Sequence, residues 1–129
     1  MLRSVLLVDD DDDMRTALRH FLADEGFHVH TARNGLEALT RLKEIDPPGL
    51  ILLDLMMPIM DGRQFLAERG QDDRLLRIPV VVVSAWTREW KNETAGVEDV
   101  MTKPVNPEAL LQLVERYCDR DGPGDPQRR

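Results

Sequence analysis

A chain of 129 residues with 17 basic and 24 acidic residues, a formal charge of −7 and a single cysteine is long enough for one domain with its own core, and needs neither disulfide nor structural metal to fold. The acidic balance disfavours nucleic acid, whose phosphates it would repel, and leaves a metal cation or a basic protein surface as the natural electrostatic partner. No apolar run approaches the roughly 20 residues of a membrane span, no apolar leader precedes the first strand, and Cys118 has no internal mate, so a cytoplasmic chain is expected.

The first apolar run, Val5 to Val8, reads as a buried strand and is followed by five aspartates, Asp9 to Asp13. Met14, Leu18, Phe21 and Leu22 then share one face of a helix that ends at Gly26. Asp11 to Asp13 belong to a solvated turn that caps this helix, whereas Asp9 and Asp10 leave the strand itself. A second strand, Val29 to Ala32, lies at an edge. There His28 and His30 share a solvent-facing side, with no acid or cysteine to complete a metal site. The second helix carries Ala38, Leu39, Leu42 and Ile45 and is stopped by Pro47-Pro48.

Leu50 to Leu53, four aliphatic residues in a row, predicts a strand covered on both faces, as in a parallel sheet. Asp54 ends it. A third helix starts near Asp61-Gly62 and buries Phe65 and Leu66, its end blurred by the polar Gly70 to Arg74. Pro79 opens the fourth strand, Val80 to Val83, at a position where no ladder donor is lost, and Ser84 follows it. A short fourth helix is expected over Thr87 to Thr94, and Trp90 lies one turn after Trp86. A weak fifth strand, Val100 to Thr102, runs into Lys103-Pro104.

The last helix is marked by Asn106 as N-cap, Pro107 at its first position, Glu108 in the positive first turn, and Leu110, Leu111, Val114 and Tyr117 on one face. Residues 119–129 are too polar and too rich in Gly and Pro to pack and are expected to fray. Strands alternating with helices, each connection long enough for a crossover, predict an α/β domain over residues 1–118 with a parallel sheet wrapped on both faces.

In such a sheet, ligands bind where loops leave the carboxyl ends of the strands. Asp9, Asp10 and Asp54 are expected to crowd there, and two unit charges about 4 Å apart cost around 4 kcal/mol at an effective dielectric near 20. A divalent cation removes that cost. Hard oxygen donors without cysteine suit Mg²⁺, Mn²⁺ or Ca²⁺ rather than zinc. An EF-hand loop counted from Asp9 would need Gly and Glu where Met14 and His20 stand, which leaves Mg²⁺ as the best fit. Lys103 would bring an ammonium to the same edge, and Ser84 a hydroxyl. A carboxylate, an oxygen-ligated metal, a hydroxyl and an ammonium together form a phosphoryl-transfer site, with Asp54 as the nucleophile.

In this order and spacing, Val-Asp9-Asp10, Asp54 with Met-Pro58 and Met-Asp61-Gly62 behind it, Ser84-Ala85 and Lys103-Pro104 resemble the receiver domain of bacterial two-component response regulators over nearly the whole chain. The resemblance implies a flavodoxin-like (βα)5 doubly wound sandwich with strand order 2-1-3-4-5. It implies that Asp54 accepts a phosphoryl group from a histidine kinase, a histidine phosphotransfer protein or a small phosphodonor. The chain would be a signalling phosphoacceptor that assists its own Mg²⁺-dependent phosphorylation and dephosphorylation, not an enzyme acting on a separate substrate.

By the same resemblance Asp10 and Asp54 would hold Mg²⁺, with Mn²⁺ as a substitute. Asp9 would act partly through water and Met56 through its backbone carbonyl, while Ser84 and Lys103 grip the phosphoryl oxygens. The Lys103-Pro104 peptide would be cis. A downstream protein would dock on the face made by the fourth helix, fifth strand and fifth helix. With no output domain attached, a stand-alone switch is expected.

The sequence departs from the family where receivers carry an aromatic three positions before the lysine; here that position is Val100. The span from Ser84 to Lys103 is also about three residues short, so the fourth helix is expected to be stubby. Both features fit a degenerate receiver that binds partners without phosphate, against which the intact set of Asp9, Asp10, Asp54, Ser84 and Lys103 argues. A haloacid-dehalogenase-type hydrolase would need a second Asp where Met56 stands. A flavin-binding flavodoxin would need a neutral loop where Asp9 to Asp13 lie.

Trp86 and Met56 occupy the positions that flank the phosphoryl group in the family, and ordinary apolar packing would also explain them. Trp90 is expected to be exposed on the short fourth helix, either at random or, the favoured reading, as a partner anchor. If Trp86 and Met56 shield the phosphoryl group from water without orienting it, Trp86→Ala will lose its phosphate faster than the parent. An unchanged decay rate, followed by intact-mass spectrometry, contradicts that shielding.

Overall fold

The computed structural model describes residues 3–85 and 96–118. Five strands form one parallel sheet: β1 (Arg3–Val8), β2 (Phe27–Ala32), β3 (Leu50–Leu53), β4 (Val80–Ser84) and β5 (Asp99–Thr102), in the order β2-β1-β3-β4-β5. The register places Val8 beside both Ala32 and Leu53, and Ser84 beside Thr102. β1 and β3 therefore end together, and β4 runs two residues further along the same edge. β2 begins two residues earlier than its apolar run suggests, because Phe27 is buried although His28 beside it is exposed.

The described helices are α1 (Asp12–Asp24), α2 (Gly35–Glu44), α3 (Gly62–Arg69), α4 (Asp73–Leu76) and α5 (Pro107–Cys118). Alternation along the strands separates two cores. Val5, Leu7, Leu50, Leu52, Val81 and Val83 face Leu18, Leu22, Leu110 and Val114 of α1 and α5. Leu6, Val8, Ile51, Leu53 and Val80 face Ala38, Leu42 and Phe65 of α2 and α3. That two-sided burial is why the central strands read as unbroken aliphatic runs.

Helix ends follow local chemistry. Asp11, Asn34 and Asp61 cap α1, α2 and α3 through side-chain oxygens that accept the third amide beyond them. Asn106 does the same for the amide of Ala109 at the start of α5. Gly26, at φ +98°, ends α1 in the left-handed conformation that glycine adopts without penalty.

The polar stretch after α3 hides a turn of helix, α4, capped by Asp72. It is held by Arg69, whose buried guanidinium donates to the carbonyls of Leu76 (3.3 Å) and Ile78 (2.9 Å). Burial lowers the Arg69 pKa, opposed by the charge of Glu98. Leu66 is half-buried rather than a core residue. His28 is exposed, but His30 is half-buried against Arg41 (3.5 Å) and so is not simply solvent-facing. The helix expected over 87–94, with Trp86 and Trp90, and the tail 119–129 lie outside the described residues.

Between β3 and α3 the chain makes a loop pinned at several points. The Met60 carbonyl accepts from the Gly35 amide (2.8 Å), and the Gly62 amide donates to Leu55 (3.0 Å). The Met60 amide closes a three-residue turn onto Pro58 (2.7 Å) around Ile59 at φ +69°. That conformation costs a β-branched residue about 1–3 kcal/mol, and it persists because the pins at Met60 and Gly62 that follow it over-determine it.

Gly62 sits so close to β3 that a Cβ there would lie 2.7 Å from both the Asp54 carbonyl oxygen and the Leu55 Cα. Since backbone cannot yield as a side chain can, Gly62→Ala is expected to destabilise the fold by about 1–3 kcal/mol. Urea unfolding with an unchanged slope would report it.

Candidate functional site

Asp9, Asp54 and Lys103 each sit one step past the end of a strand, and the amide of each continues the ladder. The Asp9 amide donates to Ala32 (3.1 Å), that of Asp54 to Val8 (2.9 Å) and that of Lys103 to Ser84 (3.0 Å). The sheet's hydrogen bonds therefore fix where these residues leave it. Sheet order does the rest, because β1 and β3 are neighbours and β5 lies one strand beyond β4 on the same side.

The carboxylates of Asp9, Asp10 and Asp54 converge, with one oxygen from each lying within 4.8 Å of the others. Asp9 and Asp54 are 2 % and 5 % exposed, whereas Asp10 faces solvent. Lys103 bridges the buried pair: its Nζ donates to Asp9 Oδ2 at 2.8 Å and to Asp54 Oδ2 at 3.2 Å. The other oxygens accept from backbone, Asp9 Oδ1 from the Asp11 amide (2.9 Å) and Asp54 Oδ1 from the Met56 amide (3.2 Å).

One ammonium faces three carboxylates, and burial weighs on the ionised form of the group at the centre. Burial raises the Asp54 pKa, the charge of Lys103 opposes this, and Asp9 adds to the rise. Burial on its own would lower the Lys103 pKa, but the hydrogen bond to Asp9 and the charges of Asp54 and Asp9 outweigh it and raise it. Carboxylates this close, with hard oxygens and an opening to solvent at Asp10, fit a small divalent cation.

The structure thus brings together Asp9, Asp10, Asp54 and Lys103 as the sequence suggested. Ser84 is fully buried at the end of β4, the strand between Asp54 and Lys103. Met56 is exposed beside Asp54 and touches it through its amide. Val100 is half-buried in β5 against Leu55 and Val82. The Lys103-Pro104 peptide is cis. Sequence reasoning missed Arg15 in α1, which donates to the Asp9 carbonyl at 2.8 Å. It lies at the flank of the buried face of α1, three residues before Leu18 and seven before Leu22, where an arginine reads as a surface charge.

A family model described as the response regulator receiver domain matches residues 5–115. A protein of Leptolyngbya boryana, described as an uncharacterized 14.6 kDa protein in the sodA1 3′ region, is 39 % identical, with 88 % of each chain covered. Several other curated relatives are about twice as long, and the chain spans 50 to 59 % of them. Among solved structures, the chemotaxis protein CheY4 of Vibrio cholerae superposes with a TM-score of 0.82 at 34 % identity, covering 91 % of this chain and 99 % of that one. The receiver domain of sensor histidine kinase PA1611 from Pseudomonas aeruginosa, solved with a magnesium ion in its active-site cleft, gives 0.81 at 25 % identity, covering 92 % and 98 %.

The raised pKa of Asp54 means that folding favours its protonated form, so the ionised carboxylate costs stability at neutral pH and the cost fades as pH falls through that pKa. Asp54→Asn, which removes the charge that burial disfavours, is therefore expected to be more stable than the parent at pH 7. The gap should close in acid. Urea unfolding across that range checks it, and a variant less stable than the parent at pH 7 contradicts it.

Proposed function

The chain belongs to the response regulator receiver family, and from that premise we propose that it is a phosphoacceptor switch in which Asp54 takes a phosphoryl group from a histidine kinase or histidine phosphotransfer protein. The observation that carries this reading is the Lys103 ammonium shared between Asp9 and Asp54 at the open edge of the sheet. An ammonium so placed holds Asp54 as a carboxylate and stands ready for the charge that an incoming phosphoryl group brings.

In the proposed reaction an Asp54 carboxylate oxygen attacks phosphorus. The new O–P bond forms as the P–N bond of a phosphohistidine, or the P–O bond of an acyl phosphate, breaks and the electron pair leaves with the donor. Asp9, Asp10 and Asp54, with the Met56 carbonyl, are the proposed ligands of Mg²⁺ or Mn²⁺. When bound, the cation neutralises the carboxylates and the transferred oxygens. Lys103 is proposed to exchange its contact with Asp54 for a phosphoryl oxygen, and Ser84 to donate its hydroxyl to another. Both would spread the equatorial charge. Hydrolysis of the acyl phosphate by water would reset the switch, so the protein assists both directions without an external substrate.

Output is proposed to run through β5 and α5, together with the helix expected between β4 and β5. Val100 is the position at which the phosphorylated state would be felt. A downstream protein that reads this face would complete the switch.

Incubation with acetyl phosphate and Mg²⁺, read by intact-mass spectrometry, tests the reading. One phosphoryl adduct that requires the metal and is absent from Asp54→Asn is expected. Lys103→Met should slow labelling by about 10²-fold, the scale for removing one transition-state charge partner. No adduct from acetyl phosphate or from a panel of phosphorylated kinases would overturn it in favour of a phosphate-independent binding module.

A further inference from the structure

Asp10 poses a geometric problem. Asp9 and Asp54 are aimed by burial and by Lys103, but Asp10 is exposed and lies in the connection between β1 and α1. Its side-chain direction depends on the peptide before it, whose six atoms share a plane. Whatever fixes the Asp9 carbonyl fixes the Asp10 amide and narrows where the Asp10 side chain can point.

That carbonyl is held by Arg15. One guanidinium nitrogen, Nη1, donates to the Asp9 carbonyl at 2.8 Å, and Nη2 pairs with Asp12 Oδ1. The Arg15 side chain is itself only 15 % exposed, although it grows from the first turns of a surface helix. The Asp11 amide on Asp9 Oδ1 closes the same loop from the other side. The planar fork thus links the strand end at Asp9 to the first turn of α1.

We propose that Arg15 is a positioning residue of the cation site: by clamping the Asp9 carbonyl to Asp12 it aims the Asp10 carboxylate at the point where Asp9 and Asp54 converge. This rests on the reading of those three acids as Mg²⁺ ligands. It makes a prediction whose sign separates it from simple electrostatics. Arg15 is a positive charge beside a cation site, so on charge alone its removal would tighten Mg²⁺. A positioning role requires the opposite. Arg15→Lys keeps the charge but replaces the fork with a point donor that cannot reproduce both contacts.

Mg²⁺ titrations of the parent, Arg15→Lys and Arg15→Gln, followed by amide NMR shifts of residues 10–14, test the role directly. Urea unfolding verifies that each variant is folded. Both variants are expected to bind Mg²⁺ about tenfold more weakly, the lower end of what loss of an outer-shell partner costs. The Mg²⁺ midpoint for labelling by acetyl phosphate should move by the same factor, while the rate at saturating Mg²⁺ stays within about twofold of the parent. Affinity within about twofold of the parent in Arg15→Lys, or tighter binding in Arg15→Gln, overturns the proposal. A parent that binds Mg²⁺ but takes no phosphate would overturn the functional reading alone, and the affinities would still decide the role of Arg15.

Discussion

The structure turns on one shortage of charge. Three carboxylates meet at the carboxyl edge of the sheet, and a single ammonium, that of Lys103, is hydrogen-bonded to the two buried ones. At an effective dielectric near 20 each close carboxylate pair costs around 4 kcal/mol, and one lysine offsets only part of the total. Burial raises the pKa of Asp54, the charge of Lys103 opposes the rise, and that of Asp9 adds to it. A protein selected only for stability would not keep such a cluster. It is consistent with a site that waits for a cation and an anionic group to complete it.

That cluster depends on strand order. Asp9 and Asp54 are neighbours because β1 and β3 pair, and Lys103 reaches them because β4 alone separates β3 from β5. The depth at which each side chain leaves the sheet is set by backbone: the amides of Asp9, Asp54 and Lys103 each bond to the last carbonyl of the adjacent strand. The loop behind Asp54 is held as firmly, by Gly35, by the Asp61 capping box and by the close approach of Gly62. The strained turn at Ile59 is tolerated within that frame.

Much of this was legible in the sequence, for reasons that are local. Aliphatic runs ending in Asp or Lys announce buried parallel strands and their ligand edge. Asn106-Pro107, Gly26 and Asp61-Gly62 announce helix ends through backbone requirements that few other residues meet. What stayed hidden depended on side-chain contacts between one element and the next, 6 to 11 residues apart. The turn of helix at Asp73–Leu76 is stabilised by Arg69 reaching forward to the carbonyls of Leu76 and Ile78, and no periodicity over four residues reports that. His30 is half-buried, with Arg41 of the next helix and the ring of His28 against it. The link between Arg15 and Asp9 joins a helix to a strand end, where composition carries no information.

At the centre of the site is a competition between Lys103 and a divalent cation for the same carboxylates. The most direct measurement is the Mg²⁺ affinity of Lys103→Met against the parent, by titration at matched ionic strength. Removing the competing ammonium is predicted to tighten binding by about tenfold or more, since about 1.4 kcal/mol of released repulsion suffices for that factor. An affinity that is unchanged or weaker would mean that the cation and the lysine do not share this site, and would contradict the account.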